Sequence, residues 1–317
     1  MSTVTPPTLN EVTAAAKRLE AVAVHTPLIA LHTLDCTSDI LLKPEILQPV
    51  TSFKIRGIYH AVASLSDQER ARGISTVSAG NTAQALAWCG RHFGIPARSL
   101  MPDSAPQSKI DAVRAYGGEP VLVPLDEVFR YLREHGWEDE PYSFIHRWTS
   151  RDVMLGHGSI ALEIIEDCPD VEAVFIPVGG GGLMGGVGST LKALKPSVKV
   201  FAVEPEGCPS LYASLQAGQP MSVDCNTICD GVAVPYITDE MFGLLKTIVD
   251  ESVLVSEEAV KSMVKRLAMG NKIIAEPSGA LAAAAATNLP LEERGQCVCL
   301  VTGGSIDRTK LMTILET

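Results

Sequence analysis

The sequence predicts an α/β protein in which mostly parallel strands are covered by helices on both faces. Two observations lead to this prediction. Short apolar runs typical of strands alternate with amphipathic segments typical of helices, most regularly from residue 73 onward. The chain has 317 residues, of which 46% are hydrophobic, so it is long enough for two domains or for one large α/β unit.

The expected elements follow in order along the chain. A helix over residues 9–22 precedes a block with strand 73–77, helix 82–93, strand 97–101, helix 107–116 and strand 120–123. In helix 82–93, Ala83, Leu86 and Ala87 repeat at the apolar spacing of one helix face. Gly117 and Gly118 provide a typical stop for helix 107–116. A second block holds helix 159–166, strand 173–178, a helix around 189–194, strand 198–203, helices 256–269 and 278–286 and strand 297–301.

Charge and cysteine content exclude several classes of function. The chain has 26 Lys and Arg against 37 Asp and Glu, a net charge of −11, which disfavours nucleic acids and anionic membranes as partners. Its eight cysteines show no Cys-x-x-Cys pair and no zinc-type spacing, so we expect reduced thiols. The first 20 residues lack the apolar core of a secretory signal, and no apolar run reaches about 18 residues. We therefore expect a cytoplasmic protein.

Seven glycines lie within residues 179–188, directly after the expected strand 173–178. Small residues between a strand and a helix let backbone N–H groups converge on an anion, so a phosphate is the expected ligand. A P-loop is disfavoured, because Leu183 and Met184 stand where it needs Lys and then Ser or Thr. A dinucleotide site with Glu204 on the ribose and a tight turn without a ligand remain as alternatives.

Lys54 stands between two apolar residues, Phe53 and Ile55. A lone lysine is usually a solvated charge. Apolar neighbours would desolvate this amine and lower its proton affinity, which makes it a nucleophile toward a carbonyl carbon. An aldehyde that carries a phosphate would satisfy both Lys54 and the glycine cluster.

Two further segments join a strand end to polar residues. Residues 78–85 lead from a strand into a helix, and their N–H groups and hydroxyls suit a carboxylate, or they form a Ser/Asn helix cap. Residues 301–305 end the last strand with Thr302, two glycines and Ser305. Ligands gather at such strand ends in open α/β sheets.

Taken together, five motifs resemble the fold-type-II pyridoxal-phosphate enzymes, the tryptophan-synthase-β-like family, and within it the threonine/serine dehydratases and serine racemases. The motifs are residues 52–57, 78–85, 179–182, 276–279 and 302–304, in that order. The resemblance implies a two-domain α/β enzyme in which each domain is a mostly parallel sheet flanked by helices. Residues 1–67 and 149–317 would form the large domain and residues 68–148 a small mobile one, with pyridoxal 5′-phosphate in the cleft.

The resemblance also implies roles for individual residues. Lys54 would be catalytic, holding the cofactor as a Schiff base and, once freed, removing the α-proton of the substrate. The expected cofactor-binding residues are Phe53, Lys54, Asn81, Gly179, Gly180, Gly181, Gly182, Leu183, Glu276 and Thr302. The expected substrate-binding residues are Ser78, Ala79, Gly80, Asn81, Thr82, Gln84 and Trp148.

The implied reaction is a β-elimination that dehydrates and deaminates a β-hydroxy-α-amino acid to a 2-oxo acid and ammonia. Ala79 stands where the racemases carry a serine, and because alanine cannot exchange a proton, dehydration is favoured over racemisation. The alternatives are a serine racemase, a 3-hydroxyaspartate dehydratase and a threonine-synthase-like β/γ-replacement enzyme. A non-catalytic sensor on the same fold is disfavoured by the intact Lys54.

Two departures from the family bear on the substrate. Thr82 replaces the usual histidine of the dehydratases, and Trp148 brings an indole to the expected cleft together with two cations, Arg147 and Arg151. A wider pocket with an aromatic wall could stack a ring. We therefore add phenylserine to threonine and serine as a hypothesis for the substrate.

The metal site of the family is expected to be incomplete. Glu204 matches one ligand and Cys208 offers a backbone carbonyl, but Ser210 replaces an acidic residue. A hard divalent cation prefers carboxylate oxygens, so we expect no tight Mg²⁺ or Ca²⁺ site. The expected partner is a small amino acid, with no nucleic acid and no membrane. The oligomeric state stays open, with a homodimer as one option.

Overall fold

The computed structural model describes residues 4–32 and 39–316, and ten strands in this part of the chain form two sheets. The strands are β1 (Ile29–Ala30), β2 (Ile40–Pro44), β3 (Ile74–Val77), β4 (Ala97–Pro102), β5 (Glu119–Val123), β6 (Ser143–Phe144), β7 (Ala173–Pro177), β8 (Lys199–Pro205), β9 (Glu251–Val255) and β10 (Cys297–Val301). Strand β10 has the bounds that the sequence predicted. Within the described residues, no helix has the length and apolar character that crossing a bilayer requires.

The helices connect and cover these strands. They are α1 (Leu9–Leu19), α2 (Lys54–Ser64), α3 (Asp67–Ala71), α4 (Asn81–Phe93), α5 (Gln107–Ala115), α6 (Leu125–Arg133), α7 (Arg151–Asp167), α8 (Gly182–Leu194), α9 (Ser210–Ala217), α10 (Asp239–Ile248), α11 (Glu257–Arg266), α12 (Pro277–Asn288), α13 (Leu291–Arg294) and α14 (Arg308–Glu316). Ser150, Thr238 and Ser256 begin α7, α10 and α11 by accepting a backbone N–H of the first turn. Seven of these helices were not predicted from the sequence: α2, α3, α6, α9, α10, α13 and α14.

The larger sheet has the strand order β1-β2-β10-β7-β8-β9. Only β1 pairs antiparallel with its neighbour, and the other pairs are parallel. All five residues of β7 and of β10 are buried, as expected for central strands with helices on both faces. The predicted α/β class is therefore confirmed.

The smaller sheet has the order β5-β4-β3-β6, and its three strand pairs are all parallel. Its four strands lie between residues 74 and 144. Because β3 is central, the chain leaves the middle of this sheet through residues 78–80 and enters α4. The division into domains at residues 68 and 148 remains a prediction.

The glycine-rich segment is only partly a turn. The helix was expected to begin near residue 189, but α8 begins at Gly182. Helix α8 packs closely on α7: a Cβ at Gly186 would lie 2.4 Å from the backbone oxygen of Met154. The later glycines of the cluster thus allow two helices to approach, and this tertiary contact outweighs their low helix propensity.

The prediction that all cysteines are reduced thiols is wrong for Cys208 and Cys225. These two residues form a disulfide, with their Cα atoms 4.5 Å apart. Cys89, Cys168, Cys229, Cys297 and Cys299 are free and buried, and Cys36 lies outside the described residues. The chain after β8 folds back so that the two cysteines meet. No spacing motif in the sequence predicts this contact.

Candidate active site

Lys54 is the first residue of α2 and lies beside the carboxyl end of β10. Ser52 pairs with Gly303 in an isolated antiparallel bridge, and the backbone N–H of Phe53 donates to the carbonyl of Thr302 at 3.2 Å. Two motifs from opposite ends of the chain are therefore adjacent at one sheet edge.

A buried ion cluster holds α2 in place below Lys54. The Arg56 guanidinium donates from Nε to Glu45 Oε2 at 2.7 Å and from Nη1 to Glu163 Oε1 at 2.6 Å. Lys43 Nζ lies 2.7 Å from Glu163 Oε2. Burial alone would lower the pKa of Arg56, but Glu45 and then Glu163 keep it above its usual value. Every charge in the cluster has an opposite charge beside it, as buried ions require.

The Lys54 amine has a pKa close to neutral pH. Burial, and after it the positive charge of Arg147, lowers the pKa of Lys54 from 10.5 to about 7, while Glu276 opposes the shift. Lys54 Nζ lies 4.5 Å from the ring centroid of Phe53. The neutral amine, which is the nucleophilic and proton-accepting form, is therefore populated near pH 7.

The residues after β7 form an anion cradle. Gly181 has φ +90°, a conformation that favours glycine, and α8 begins at the next residue. The first turn of a helix leaves backbone N–H groups without intrahelical acceptors, and the helix dipole favours negative charge there. Residues 179–183 all line one cavity. The segment therefore suits a phosphate or a carboxylate.

Trp148 forms one wall beside this cradle. The side chain is buried, and a Cβ at Gly180 would lie 2.2 Å from Trp148 Cδ2. A Cβ at Gly182 would lie 2.9 Å from the backbone oxygen of Arg147. The ring of Tyr236 meets Trp148 edge to face at 6.1 Å between centroids. Gly180 and Gly182 are thus needed for the close approach of residues 147–148.

Of the two cations expected near the cleft, the structure brings only Arg147 there. Arg147 lines the cavity and stacks on Trp148, with Cζ 4.5 Å from the ring centroid. Arg151 instead forms an ion pair with Glu11 of α1, with Nη1 and Oε1 2.5 Å apart. The expectation was wrong for Arg151 because α7 begins at this residue and carries it toward α1.

Asn81 and Glu276 join the two halves of the cleft. Asn81 begins α4, Glu276 precedes α12, and Asn81 Nδ2 donates to Glu276 Oε1 at 2.8 Å. Asn81 Oδ1 is buried with no hydrogen-bond partner among the described residues. Burial and then the charge of Asp230 raise the pKa of Glu276 from 4.5 to about 7. Asn81 Oδ1 can therefore accept a hydrogen bond from a ligand.

The other predicted substrate-binding residues lie around the same space. Ser78, Ala79, Gly80 and Thr82 line the cavity, and the backbone N–H of Gly80 donates to Ser78 Oγ at 3.1 Å. Gln84 is buried and donates to Ser305 Oγ at 3.1 Å, and Ser305 in turn lines the cavity. Thr302 also lies in the wall, with Oγ1 3.5 Å from the carbonyl oxygen of Ser278.

The cavity has a volume of about 490 Å³ and includes walls that the sequence analysis missed. One is the apolar face of α6, formed by Leu125, Val128, Phe129 and Leu132. A second is the loop 230–236, and a third is the segment from the end of β4 into α5, with Pro102, Ser104, Ala105, Pro106 and Lys109. Helix α6 has apolar residues at helical spacing, a signal that was present in the sequence, whereas no local pattern places the loop at the cleft.

The weak metal candidates are engaged otherwise. Glu204 Oε1 accepts the N–H of Leu211 at 2.8 Å, and Oε2 accepts that of Tyr212 at 2.7 Å. Burial raises the pKa of Glu204 to about 7. Ser210 Oγ lies 3.4 Å from Glu204 Oε1, and Cys208 is in the disulfide. Across residues 4–32 and 39–316, no three His, Cys, Asp or Glu side chains gather as a metal site would need.

The chemistry available in the cleft is that of an amine beside an oxyanion cradle. Lys54 can add to a carbonyl carbon, and residues 179–183 can bind an anionic oxygen group of the same molecule. The orphan Asn81 Oδ1 can accept a hydrogen bond from a ligand hydroxyl. An aldehyde with a phosphate and a hydroxyl fits these three features.

Comparison with known proteins agrees with this chemistry. The profile of the family described as pyridoxal-phosphate dependent enzyme matches residues 20–303. A protein of Thermotoga maritima described as L-threonine ammonia-lyase is 41% identical over 316 residues, which are 98% of this chain and 78% of that protein.

Two solved structures have the same architecture. The structure of maize serine racemase is 28% identical with a TM-score of 0.89, covering 99% of this chain and 97% of that one. The processed form of threonine deaminase isoform 2 from Solanum lycopersicum is 33% identical with a TM-score of 0.87, covering 99% and 90%.

Proposed function

The chain belongs to the pyridoxal-phosphate dependent enzyme family, and we propose that it eliminates water from a β-hydroxy-α-amino acid, after which water hydrolyses the resulting enamine to a 2-oxo acid and ammonia. Its cofactor is pyridoxal 5′-phosphate. The observation that carries the proposal is the Lys54 amine, whose pKa is about 7, in the same cavity as the glycine cradle. This pairing supplies both a cofactor anchor and a base.

Several residues support the placement of the cofactor. Backbone N–H groups of residues 179–183 would bind the phosphate, since all five residues line the cavity. Asn81 Oδ1 would accept a hydrogen bond from the ring hydroxyl, and this contact would satisfy an otherwise orphaned buried atom. We assign Phe53, Glu276 and Thr302 to the same site, since all three line the cavity.

When bound, the cofactor supplies an electron-withdrawing ring that makes the α-hydrogen of an attached amino acid acidic. Lys54 Nζ would accept that proton, because its neutral form is populated near pH 7. Thr302 would present a hydroxyl to the pyridine nitrogen, and a hydroxyl stabilises a protonated ring less than a carboxylate does. A weaker electron sink favours prompt loss of the β-hydroxyl.

The start of α4 would orient the substrate. Its first-turn N–H groups and the hydroxyls of Ser78 and Thr82 suit the α-carboxylate. Since Ser78 Oγ accepts the N–H of Gly80, its own hydrogen remains available to donate. Holding the carboxylate there limits rotation of the amino acid in the cleft.

Elimination is favoured over racemisation by Ala79. This residue lines the cavity and has no group that could deliver a proton to the α-carbon. A racemase needs an acid or base on each face of that carbon, and Lys54 supplies one. The 41% identity to a protein described as L-threonine ammonia-lyase supports threonine as substrate.

The apolar wall of α6 favours a second candidate substrate, phenylserine. Leu125, Val128, Phe129 and Leu132 face the cavity, and Trp148 is part of the same lining. Apolar and aromatic walls bind an aromatic ring more tightly than a methyl group. The two candidates differ only in the β-substituent, so one assay separates them.

The test is a panel of L-threonine, L-serine, 3-hydroxyaspartate and phenylserine stereoisomers, scored for 2-oxo acid and ammonia. We expect equimolar 2-oxo acid and ammonia from at least one of them, with no activity in Lys54→Ala and full activity in Lys246→Ala, which removes an exposed lysine of α10. Interconversion of D- and L-serine without 2-oxo acid would refute the proposal, and so would 2-oxo acid formation by Lys54→Ala.

A further inference from the structure

Arg147 differs from the buried arginine below α2. Arg56 has two carboxylates at its guanidinium, Glu45 and Glu163. Within residues 4–32 and 39–316, no carboxylate lies within ion-pair distance of Arg147. Its hydrogen bond runs from Nη1 to the carbonyl of Val77 at 2.9 Å. A guanidinium has five N–H donors, so most of its donor capacity is available.

The position of Arg147 makes its remaining N–H donors available to the cleft. Val77 ends β3, immediately before the loop at residues 78–80, and Trp148 covers Gly180 of the cradle. Because the guanidinium bonds to Val77 and stacks on Trp148, it lies between the expected carboxylate site and the expected phosphate site. Arg147 itself lines the cavity.

The electrostatic surroundings leave this cation incompletely compensated. Burial lowers the pKa of Arg147 to about 10, with only a weaker opposing effect from Tyr236. The side chain therefore stays charged at neutral pH, at a desolvation cost that an anion would offset. A planar guanidinium stacked on an indole presents its edge, the geometry that arginine uses to bind carboxylates and phosphates.

We propose that Arg147 binds an oxyanion inside the cleft, either the phosphate of the cofactor or a carboxylate on the side chain of the substrate. Both groups present the same paired, negatively charged oxygens. The inference concerns binding and uses the cleft of the proposed function. Since it is measured without turnover, its failure and that of the proposed reaction are distinguishable.

The experiment compares Arg147→Gln, which keeps a hydrogen-bond donor and loses the charge, with Arg147→Lys, which keeps the charge. Arg147→Met, which preserves apolar contact with Trp148, replaces the glutamine variant if that one does not fold. Arg98→Gln is the matched control. Arg98 also stacks on an aromatic ring, that of Tyr142, but it is paired with Glu140, so its removal leaves no anion site empty.

Two binding ratios separate the sources of the oxyanion. In enzyme dialysed free of cofactor, titration compares pyridoxal 5′-phosphate with pyridoxal, which lacks the phosphate. In the holoenzyme, the change in visible absorption compares L-aspartate with L-2-aminobutyrate, which lacks the second carboxylate. Arg147→Gln should weaken the anionic member of one pair by about tenfold or more, as expected for a lost charge-assisted hydrogen bond, and leave the neutral member unchanged.

A loss confined to the first pair assigns the phosphate, and a loss confined to the second assigns the substrate carboxylate. Arg147→Lys should retain most of the affinity, and Arg98→Gln should match the wild type. The inference is overturned if Arg147→Gln leaves both ratios within about twofold of wild type, or if Arg147→Lys loses as much as Arg147→Gln.

Discussion

Asn81 at the start of α4 donates a hydrogen bond of 2.8 Å to Glu276 at the start of α12. The contact ties the small sheet to the large one at the cavity. It also leaves Asn81 Oδ1 without a partner among the described residues, while the carboxyl of Glu276 is buried with a raised pKa. The two residues close one side of the cleft with groups that a ligand can complete.

The raised pKa of Glu276 should lower its contribution to the free energy of unfolding as pH rises toward neutrality. Burial and Asp230 raise its pKa from 4.5 to about 7, so between these values the folded protein holds a proton that the unfolded chain has released. The contribution of Glu276 to the free energy of unfolding should therefore decrease from about pH 5 to 8, and Glu276→Gln should gain stability relative to the wild type over this range. Glu204 contributes a decrease in the same window, whereas the lowered pKa values of Lys54 and His146 contribute an increase, so the difference between variant and wild type is the quantity that reports Glu276.

Thermal unfolding of the cofactor-free protein across this pH range measures the effect. Glu292→Gln, which removes an exposed carboxyl of α13, is the control and should leave the slope unchanged. The same pH dependence of stability in Glu276→Gln as in the wild type would contradict the assignment.

Lys54 should govern the pH dependence of cofactor uptake. Its pKa of about 7 means that the neutral amine becomes available as pH rises through 7. The uptake rate should therefore rise over this range. Arg147→Met removes a positive charge and should move the midpoint to higher pH, whereas Glu276→Gln should move it to lower pH. Stopped-flow absorption checks this, and shifts in the same direction for both variants would count against it.

Gly180 should be intolerant of a side chain. A Cβ there would lie 2.2 Å from the Trp148 ring, so Gly180→Ala should displace the indole and weaken cofactor binding by about tenfold or more. Gly188→Ala lies on α8, where the new Cβ would be 3.1 Å from the flexible end of Ile248. That variant should bind cofactor normally. Equal affinities for the two variants, measured by absorption titration, would disprove the steric argument.

Phe129 should contribute to selectivity if the α6 wall contacts the substrate side chain. Phe129→Ala removes aromatic surface from the cavity and should raise KM for phenylserine by about tenfold, with a smaller effect on threonine. Tyr131→Phe is the control, because Tyr131 lies on another face of α6 near Trp137. Steady-state kinetics with both substrates measures the effect. An equal change in KM for phenylserine and threonine would show that the α6 wall does not determine selectivity.

Cys208 and Cys225 should be detectable as a pair. Unfolded protein titrated with a thiol reagent should show two fewer thiols before reduction than after it. Cys225→Ser should abolish this difference and lower the free energy of unfolding by up to about 3 kcal/mol, since the closed loop constrains the unfolded chain. The same thiol number before and after reduction in the wild type would show that the pair is open.

The sequence alone determined the class of fold and the central motifs of the site. Strand 297–301 was predicted with its observed bounds, and strand 173–177 was predicted within one residue, because central strands read as short apolar runs. Lys54 between Phe53 and Ile55 indicated a desolvated amine, and the glycines after β7 indicated an anion cradle. These signals are local: periodicity, turn chemistry and neighbouring residue types suffice to detect them.

The tertiary structure decided which distant residues meet. In the folded protein, Asn81 contacts Glu276, and Cys208 contacts Cys225. Arg147 lies in the cleft without a carboxylate partner among the described residues, whereas Arg151 forms an ion pair with Glu11 of α1. The apolar face of α6 lines the cavity, and the later glycines of α8 allow its packing on α7. Such contacts depend on strand order and helix crossings. Residue spacing along the chain does not predict such contacts. The chemical groups of the site could therefore be identified from the sequence, but their partners could be identified only from the fold.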